Sequence, residues 1–254
     1  QIRKTTVRNK TVVIGNLMLD AVKPRYPREE LKRVIGNEAS PGVLLMPGSR
    51  PVHFQYMLAF FLKIAEKLKE KRPAYACAVS ISPFISEEQI RAALTGWTAA
   101  EWGVEAVYHV RKTDEGSPAG LEPAGELELA NGLRIPCFRH LQYDLMQWAD
   151  LALTIPGTNT VELSFMGVPM VVTIPLNYPE EIPLEGPAQL LSRVPVLGRQ
   201  LKKRLLPKFL AKIKYAAWPN RLAGEMLVPE LIGRLSVEEV ADAALALLAD
   251  EQKH

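Results

Sequence analysis

The chain has 254 residues, 48% of them hydrophobic, enough for one large domain or two small ones with a sizeable core. Its formal charge of +3 predicts no nucleic-acid partner by itself. Two cysteines without metal-ligand spacing argue against a disulfide framework or a structural zinc and fit a reduced compartment, and no apolar run is long enough to span a membrane.

In chain order, residues 11–15 (TVVIG) read as a short buried strand and 28–35 as a short helix after two prolines. Residues 43–46 form a second predicted strand. Phe54, Met57, Leu58, Phe61, Ile64, Ala65 and Leu68 fall at helical spacing, predicting a helix over 54–71. A strand at 75–81 precedes SEEQIRAAL, whose Ser86 and early acids mark a helix start. A fourth strand is expected at 106–110, and 112–125 reads as a polar loop. ELELANGLRIPCF (126–138) reads as a hairpin around Asn131-Gly132. Then follow a helix at 144–149, a strand at 151–155, a helix at 160–166 and a strand at 168–174. Beyond Pro175 the chain reads as helical or irregular, closing on a helix at 236–249 with a capping-box start at Ser236 and Glu239. Short apolar strands alternating with helices predict an α/β fold: a Rossmann-like parallel sheet with helices on both faces, followed by a C-terminal helical segment. Such sheets bind ligands beyond the carboxyl ends of their strands, which directs attention to the strand-to-helix loops.

Four stretches hold candidate chemistry. In LLMPGSR, Gly48 permits close approach of the backbone, Ser49 donates a hydrogen bond, and Arg50 presents a fork that matches phosphate oxygens at a helix N-terminus. An ordinary turn with a Ser cap and an exposed Arg fits the same tetrapeptide. In IPGTNTVE, Gly157, Thr158, Asn159 and Thr160 are phosphate-binding candidates and Glu162 a candidate acceptor for a ribose diol; a capped helix with Glu162 serving its own N-terminus is the alternative. Phe138, ahead of Arg139 and His140, either borders a base-reading loop or is core. Residues 187–224 hold nine Lys or Arg and no acid. There Arg199, Lys202, Lys203, Arg204, Lys208 and Lys212 surround apolar residues at helical spacing. This segment fits either an anionic bilayer surface or a solvated helix packed on the domain. The four histidines show no metal-ligand pattern, and no Walker, GxSxG or HExxH motif is present.

Taken together, these stretches resemble bacterial lipid-A-disaccharide synthase, a glycosyltransferase family of the GT-B fold. VIGNLMLDA (13–21) is similar to the family's Val-Gly-His-x-x-x-Asp segment, with Asn16 in place of His. LLMPGSR matches its PGSR loop, IPGTNTVELSFMGVPMVV (155–172) its SGTAxLE…PMVV block, and YAAWPNRLAGEMLVPELIG (215–233) its PNLLAG…VPEL block. His53 stands where the family usually has Glu, Pro156 replaces a Ser, and the stretch 112–135 looks longer than usual.

The resemblance implies half of a GT-B enzyme. Residues 1–20 would be linker and first strand, 21–185 the nucleotide-sugar-binding domain, and 186–254 a basic segment with C-terminal helices. The acceptor domain, with the catalytic base, would precede Gln1, so the chain is expected to be a piece of a longer protein, inactive alone because no base can be named within it. Gly48, Ser49, Arg50, Gly157, Thr158, Asn159 and Thr160 would hold the diphosphate of a UDP-sugar, Glu162 its ribose, and Phe138 its uracil. Asn16 and Asn220 would lie at interdomain or tail contacts. No metal or cofactor is expected. The implied partners are the UDP-sugar donor, a lipid-linked sugar acceptor, an anionic membrane surface on the cytoplasmic side, and a second copy through the C-terminal segment. A UDP-sugar epimerase, or a module that binds nucleotide or membrane without chemistry, is the alternative.

Overall fold

The structure is a computed structural model that describes residues 17–36, 40–111, 120–179, 200, 203–204, 206 and 213–249. The expected strand at 11–15 and five candidate residues, Asn16, Arg199, Lys202, Lys208 and Lys212, lie outside the described residues.

Eight strands form one sheet in the order β3-β4-β5-β2-β1-β6-β7-β8. At its centre, β1 (Gly42–Met46) pairs in parallel with β2 (Ala76–Ile81) on one side and β6 (Leu151–Thr154) on the other. The parallel set continues through β5 (Arg134–Arg139) beside β2, and through β7 (Met170–Pro175) and β8 (Glu230–Gly233) beyond β6. The sheet is not parallel throughout. The expected hairpin forms from β4 (Gly125–Leu129) and β5, and β3 (Ala106–Val110) adds antiparallel to β4.

The central strand shows why its apolar run is unbroken. Val43 and Leu45 point into one core, Leu44 and Met46 into the other, so both faces of β1 are buried. Over the first face lie α3 (Pro51–Lys71), α4 (Glu87–Thr95), α5 (Trp97–Trp102) and α9 (Val237–Ala249). Over the second lie α2 (Arg28–Ile35), α6 (Gln142–Trp148) and α7 (Thr158–Phe165). The short α1 (Leu17–Ala21) touches α7, as does α8 (Trp218–Ala223). The long helix α3 buries Phe54, Phe60, Phe61, Leu58, Leu62 and Ile64 completely. At about 1.5–3 kcal/mol for each fully buried large side chain, it is a principal source of stability. Ser86 caps α4 with the reciprocal Gln89 contact of a capping box, whereas at α9 only the Ser236 hydroxyl bond to Glu239 N is present. Cys77 and Cys137 are free thiols in the core, and burial pushes Cys77 up to about 12.

The chain beyond Pro175 departs from expectation, because it includes a strand. β8 is four residues long, begins with Glu and ends with Gly, so it lacks the length and alternation that mark a strand in sequence. It forms because β7 leaves an open parallel edge. The turn before it is held by polar contacts. Asn220 is fully buried; its amide donates to Val228 O and Glu230 Oε1, and its Oδ1 accepts from Leu227 N and Val228 N. Glu230 also accepts from Ala216 N and Ala217 N. The contacts of Asn220 are thus within the tail.

Replacing Asn220 by Ala leaves several buried groups unpaired, each costing roughly 1–3 kcal/mol. The expected result is a lower urea midpoint with an unchanged m-value; an unchanged midpoint would mean that the tail does not depend on this side chain.

Candidate functional site at the carboxyl edge of the sheet

The loops that follow β1 and β6 meet. Met46 is opposite Thr154 in the β1–β6 register, so residues 47–50 and 155–157 leave the sheet side by side. Gly48 is buried with φ +111°, and a Cβ there would lie 2.8 Å from Ile155 Cδ1 and 3.3 Å from His53 Cβ. Both the backbone conformation and the space demand glycine. Beyond it, Ser49 and Arg50 are exposed.

Two helices begin here, α3 after Arg50 and α7 after Gly157, and neither N-cap residue makes a side-chain capping bond. Ser49 is therefore not the cap of α3. A helix start leaves backbone N–H groups without intrahelical partners and a partial positive charge. Next to those groups stand Ser49 and Arg50 on one loop and exposed Thr158 with half-buried Asn159 on the other. The arrangement suits an anion with several oxygens.

Glu162 does not serve its own helix start. Its carboxylate accepts from Gln142 Nε2 at 2.6 Å and Tyr143 Oη at 3.1 Å, both in the first turn of α6. Burial raises its pKa, and the Tyr143 and Gln142 bonds hold it back. Gln142 and Tyr143 also line a hollow of about 180 Å³ between the ends of β2 and β5, with Lys23, Arg25, Ser82 and His140. His140 is a non-glycine residue at φ +60°, and its carbonyl accepts from the Arg25 guanidinium. Asp144, buried under this loop, accepts from Arg25 N at 2.6 Å and Tyr26 N at 3.0 Å. These contacts bring residues 23–26 to the same edge.

Two expected donor-site residues have other roles. Phe138 is 1% exposed and belongs to the core with Leu44, Leu145 and Trp148, so it offers no ring face to a base. Thr160 is fully buried; its hydroxyl donates to Gly157 O at 2.8 Å and accepts from Trp218 N at 3.3 Å, which joins α7 to α8. It is a joint between helices and presents no hydroxyl to the edge. Conversely, Gln142, Tyr143, Arg25 and Asp144 were not foreseen. Gln142 and Tyr143 open the helix that follows a strand, the kind of position that pointed to the other loops; Arg25 and Asp144 meet across 119 residues and carried no such signal. In the basic segment, Lys203 and Arg204 are exposed and Leu206 is buried. Among the described residues no cluster of three metal-ligating side chains occurs, and no helix is long and apolar enough to cross a membrane.

Lipid-A-disaccharide synthase from Geobacter metallireducens is 24% identical over 242 residues, 95% of this chain and 48% of that protein. The synthase of Anaeromyxobacter dehalogenans strain 2CP-1 is 29% identical over 229 residues, 89% of this chain and 45% of that protein. This chain is similar in sequence to lipid-A-disaccharide synthases. It spans about half the length of the curated relatives it matches. No family model matches it. A solved structure of WaaG, a glycosyltransferase involved in lipopolysaccharide biosynthesis, aligns with 91% of this chain and 44% of its own at 12% identity and a TM-score of 0.47.

The raised Glu162 pKa has a consequence for stability. A carboxyl whose folded pKa lies above its ordinary 4.5 contributes stability below 4.5 and loses it as pH rises through the folded value. Glu162→Gln removes that dependence. Wild-type stability relative to the variant should therefore fall as pH rises above 4.5, read from urea midpoints; a gap independent of pH would contradict the burial of this carboxylate.

Proposed function

We propose that this chain is the donor-binding part of an inverting glycosyltransferase of the GT-B type, which moves an acylated glucosamine-type sugar from UDP to a lipid-linked sugar. The observation that supports it most is the pair of helix starts without side-chain caps at adjoining strand ends, flanked by Arg50 and Glu162. The diphosphate would lie across Gly48, Ser49, Arg50, Gly157, Thr158 and Asn159. Glu162, oriented by Gln142 and Tyr143, would accept from the ribose hydroxyls. The hollow between Arg25, Ser82, His140 and Tyr143 would take the uracil.

In the reaction, the acceptor hydroxyl attacks the anomeric carbon as the bond to the diphosphate oxygen breaks. Negative charge then grows on the departing UDP. The N–H groups at two helix starts and the Arg50 guanidinium would stabilise it, so the chemistry at this edge needs no metal. The base that takes the acceptor proton would come from a further domain. Contact of Lys203 and Arg204 with an anionic membrane surface on the cytoplasmic side, and pairing of two copies through the tail, belong to the same proposal.

Calorimetric titration of UDP, UDP-N-acetylglucosamine and GDP into the full-length protein tests it. UDP should bind and GDP should not, and Arg50→Ala and Glu162→Ala should each weaken UDP roughly ten- to a hundredfold, the value of a charge-assisted hydrogen bond. A folded protein that binds no nucleotide would reduce both loops to ordinary turns and sink the reading.

A further inference from the structure

A hollow of about 240 Å³ opens where the first turns of α3 meet the break between α4 and α5. Val52, Gln55 and Tyr56 come from α3, Ala92 and Ala93 from α4, and Trp97 from α5. It shares no residue with the loops at 47–50 and 155–159 or with the hollow between β2 and β5. Gly96 makes the break: its extended backbone ends α4, and a Cβ there would lie 2.9 Å from Ala92 O.

The two tryptophans of α5 are used differently. Trp102 packs on Phe60 with ring centroids 4.5 Å apart, whereas Trp97 is 42% exposed. Trp97 is nonetheless braced, by Tyr56 at 6.1 Å and, nearly perpendicular, by Tyr178 at 5.2 Å. Both tyrosines are tied in turn, Tyr56 Oη donating to Pro175 O at 3.0 Å and Tyr178 Oη to Glu101 at 2.6 Å. A ring held in this way loses little freedom when it meets a ligand. In the same lining the Thr98 hydroxyl is committed to Gln55 O at 3.0 Å, while the Gln55 amide and the Trp97 N–H have no hydrogen-bond partner among the described residues.

The lining narrows the ligand. It holds no charged side chain, so an ion would give up its hydration without gaining a counter-charge. A purely apolar group would cover the amide and the indole N–H without pairing them. The fitting occupant has apolar faces and polar groups around its rim. A pyranose with equatorial hydroxyls is built that way: its axial C–H bonds make both faces apolar, and its hydroxyls project from the edge. The volume lies below the roughly 300–1,000 Å³ of sites for drug-sized ligands, which sets the occupant at one ring. We propose that this hollow binds a sugar ring of the glucose or glucosamine type, stacked on Trp97 and hydrogen-bonded to the Gln55 amide. The site is separate from the donor site and does not depend on that reading.

The test titrates methyl β-D-glucopyranoside and methyl N-acetyl-β-D-glucosaminide into the full-length protein saturated with UDP, read by saturation-transfer NMR and tryptophan fluorescence. Sorbitol, which has the hydroxyls without a ring face, is the control. At least one glycoside should bind in the millimolar range, a weak site of one ring, and sorbitol should not. Trp97→Ala should weaken binding at least about tenfold, and Gln55→Ala, which breaks no contact among the described residues, roughly threefold to tenfold with an unchanged Tm. Absence of transfer to both glycosides, equal binding of sorbitol, or binding that survives both substitutions would overturn the proposal. So would a Trp97→Ala variant that changes only the sedimentation of the protein, which would make this surface a contact between polypeptides.

Discussion

Strand β1 is hydrogen-bonded along both edges and buried on both faces, and its register with β6 sets the spacing of the two loops on which the site depends. A parallel pair releases both chains at the same edge of the sheet. Opposing Met46 to Thr154 therefore brings Gly48 against Ile155 and the starts of α3 and α7 together. A slip of one residue would turn Leu44 and Met46 into the wrong core as well as separating the loops. The same packing that stabilises the domain thus keeps two helix starts oriented toward one position.

The edge is not uniform. Between β2 and β5 it is polar, with Arg25, Gln142, Tyr143 and His140 around one hollow. Toward β7 it becomes apolar, with Met57, Ile155 and Ile174 around another. The exposed Ser49 and Arg50 lie between. A further hollow of about 500 Å³ lies at the amino edge, lined by Arg28, Pro41, Asp150 and Pro169, away from all the strand-to-helix loops. Volume alone is a poor guide here, because helix starts and strand ends at the carboxyl edge supply the directed N–H groups.

Polar contacts within the core carry much of the positioning. Asp144 holds the 23–26 segment against β5 through backbone N–H groups, and Glu162 is braced by two side chains of a different helix. Desolvation raises the Glu162 pKa, a cost the fold accepts for an oriented carboxylate at the edge. Thr160 and Asn220 do the opposite: polar residues within the family-like blocks turn out to be internal fasteners, with every strong hydrogen-bonding group used inside the chain.

The sequence by itself determined the alternation of strands and helices from β1 to β7, because apolar runs such as GVLLM and the α3 spacing report burial directly. It also marked the PGSR and GTN stretches as strand-to-helix turns, since Pro, Gly and hydroxyl residues directly after an apolar run punctuate a strand end. Tertiary structure alone decided three things. It made ELIG a strand, because an open edge of β7 outweighs the weak propensity of four residues. It sorted polar residues of equal appearance into accessible and sealed ones: Asn159 stays at the edge while Thr160, its neighbour, is sealed under α8. And it brought Tyr143 and Arg25 to one hollow at the carboxyl edge, because their positions depend on contacts between segments far apart in the chain, which no local pattern records.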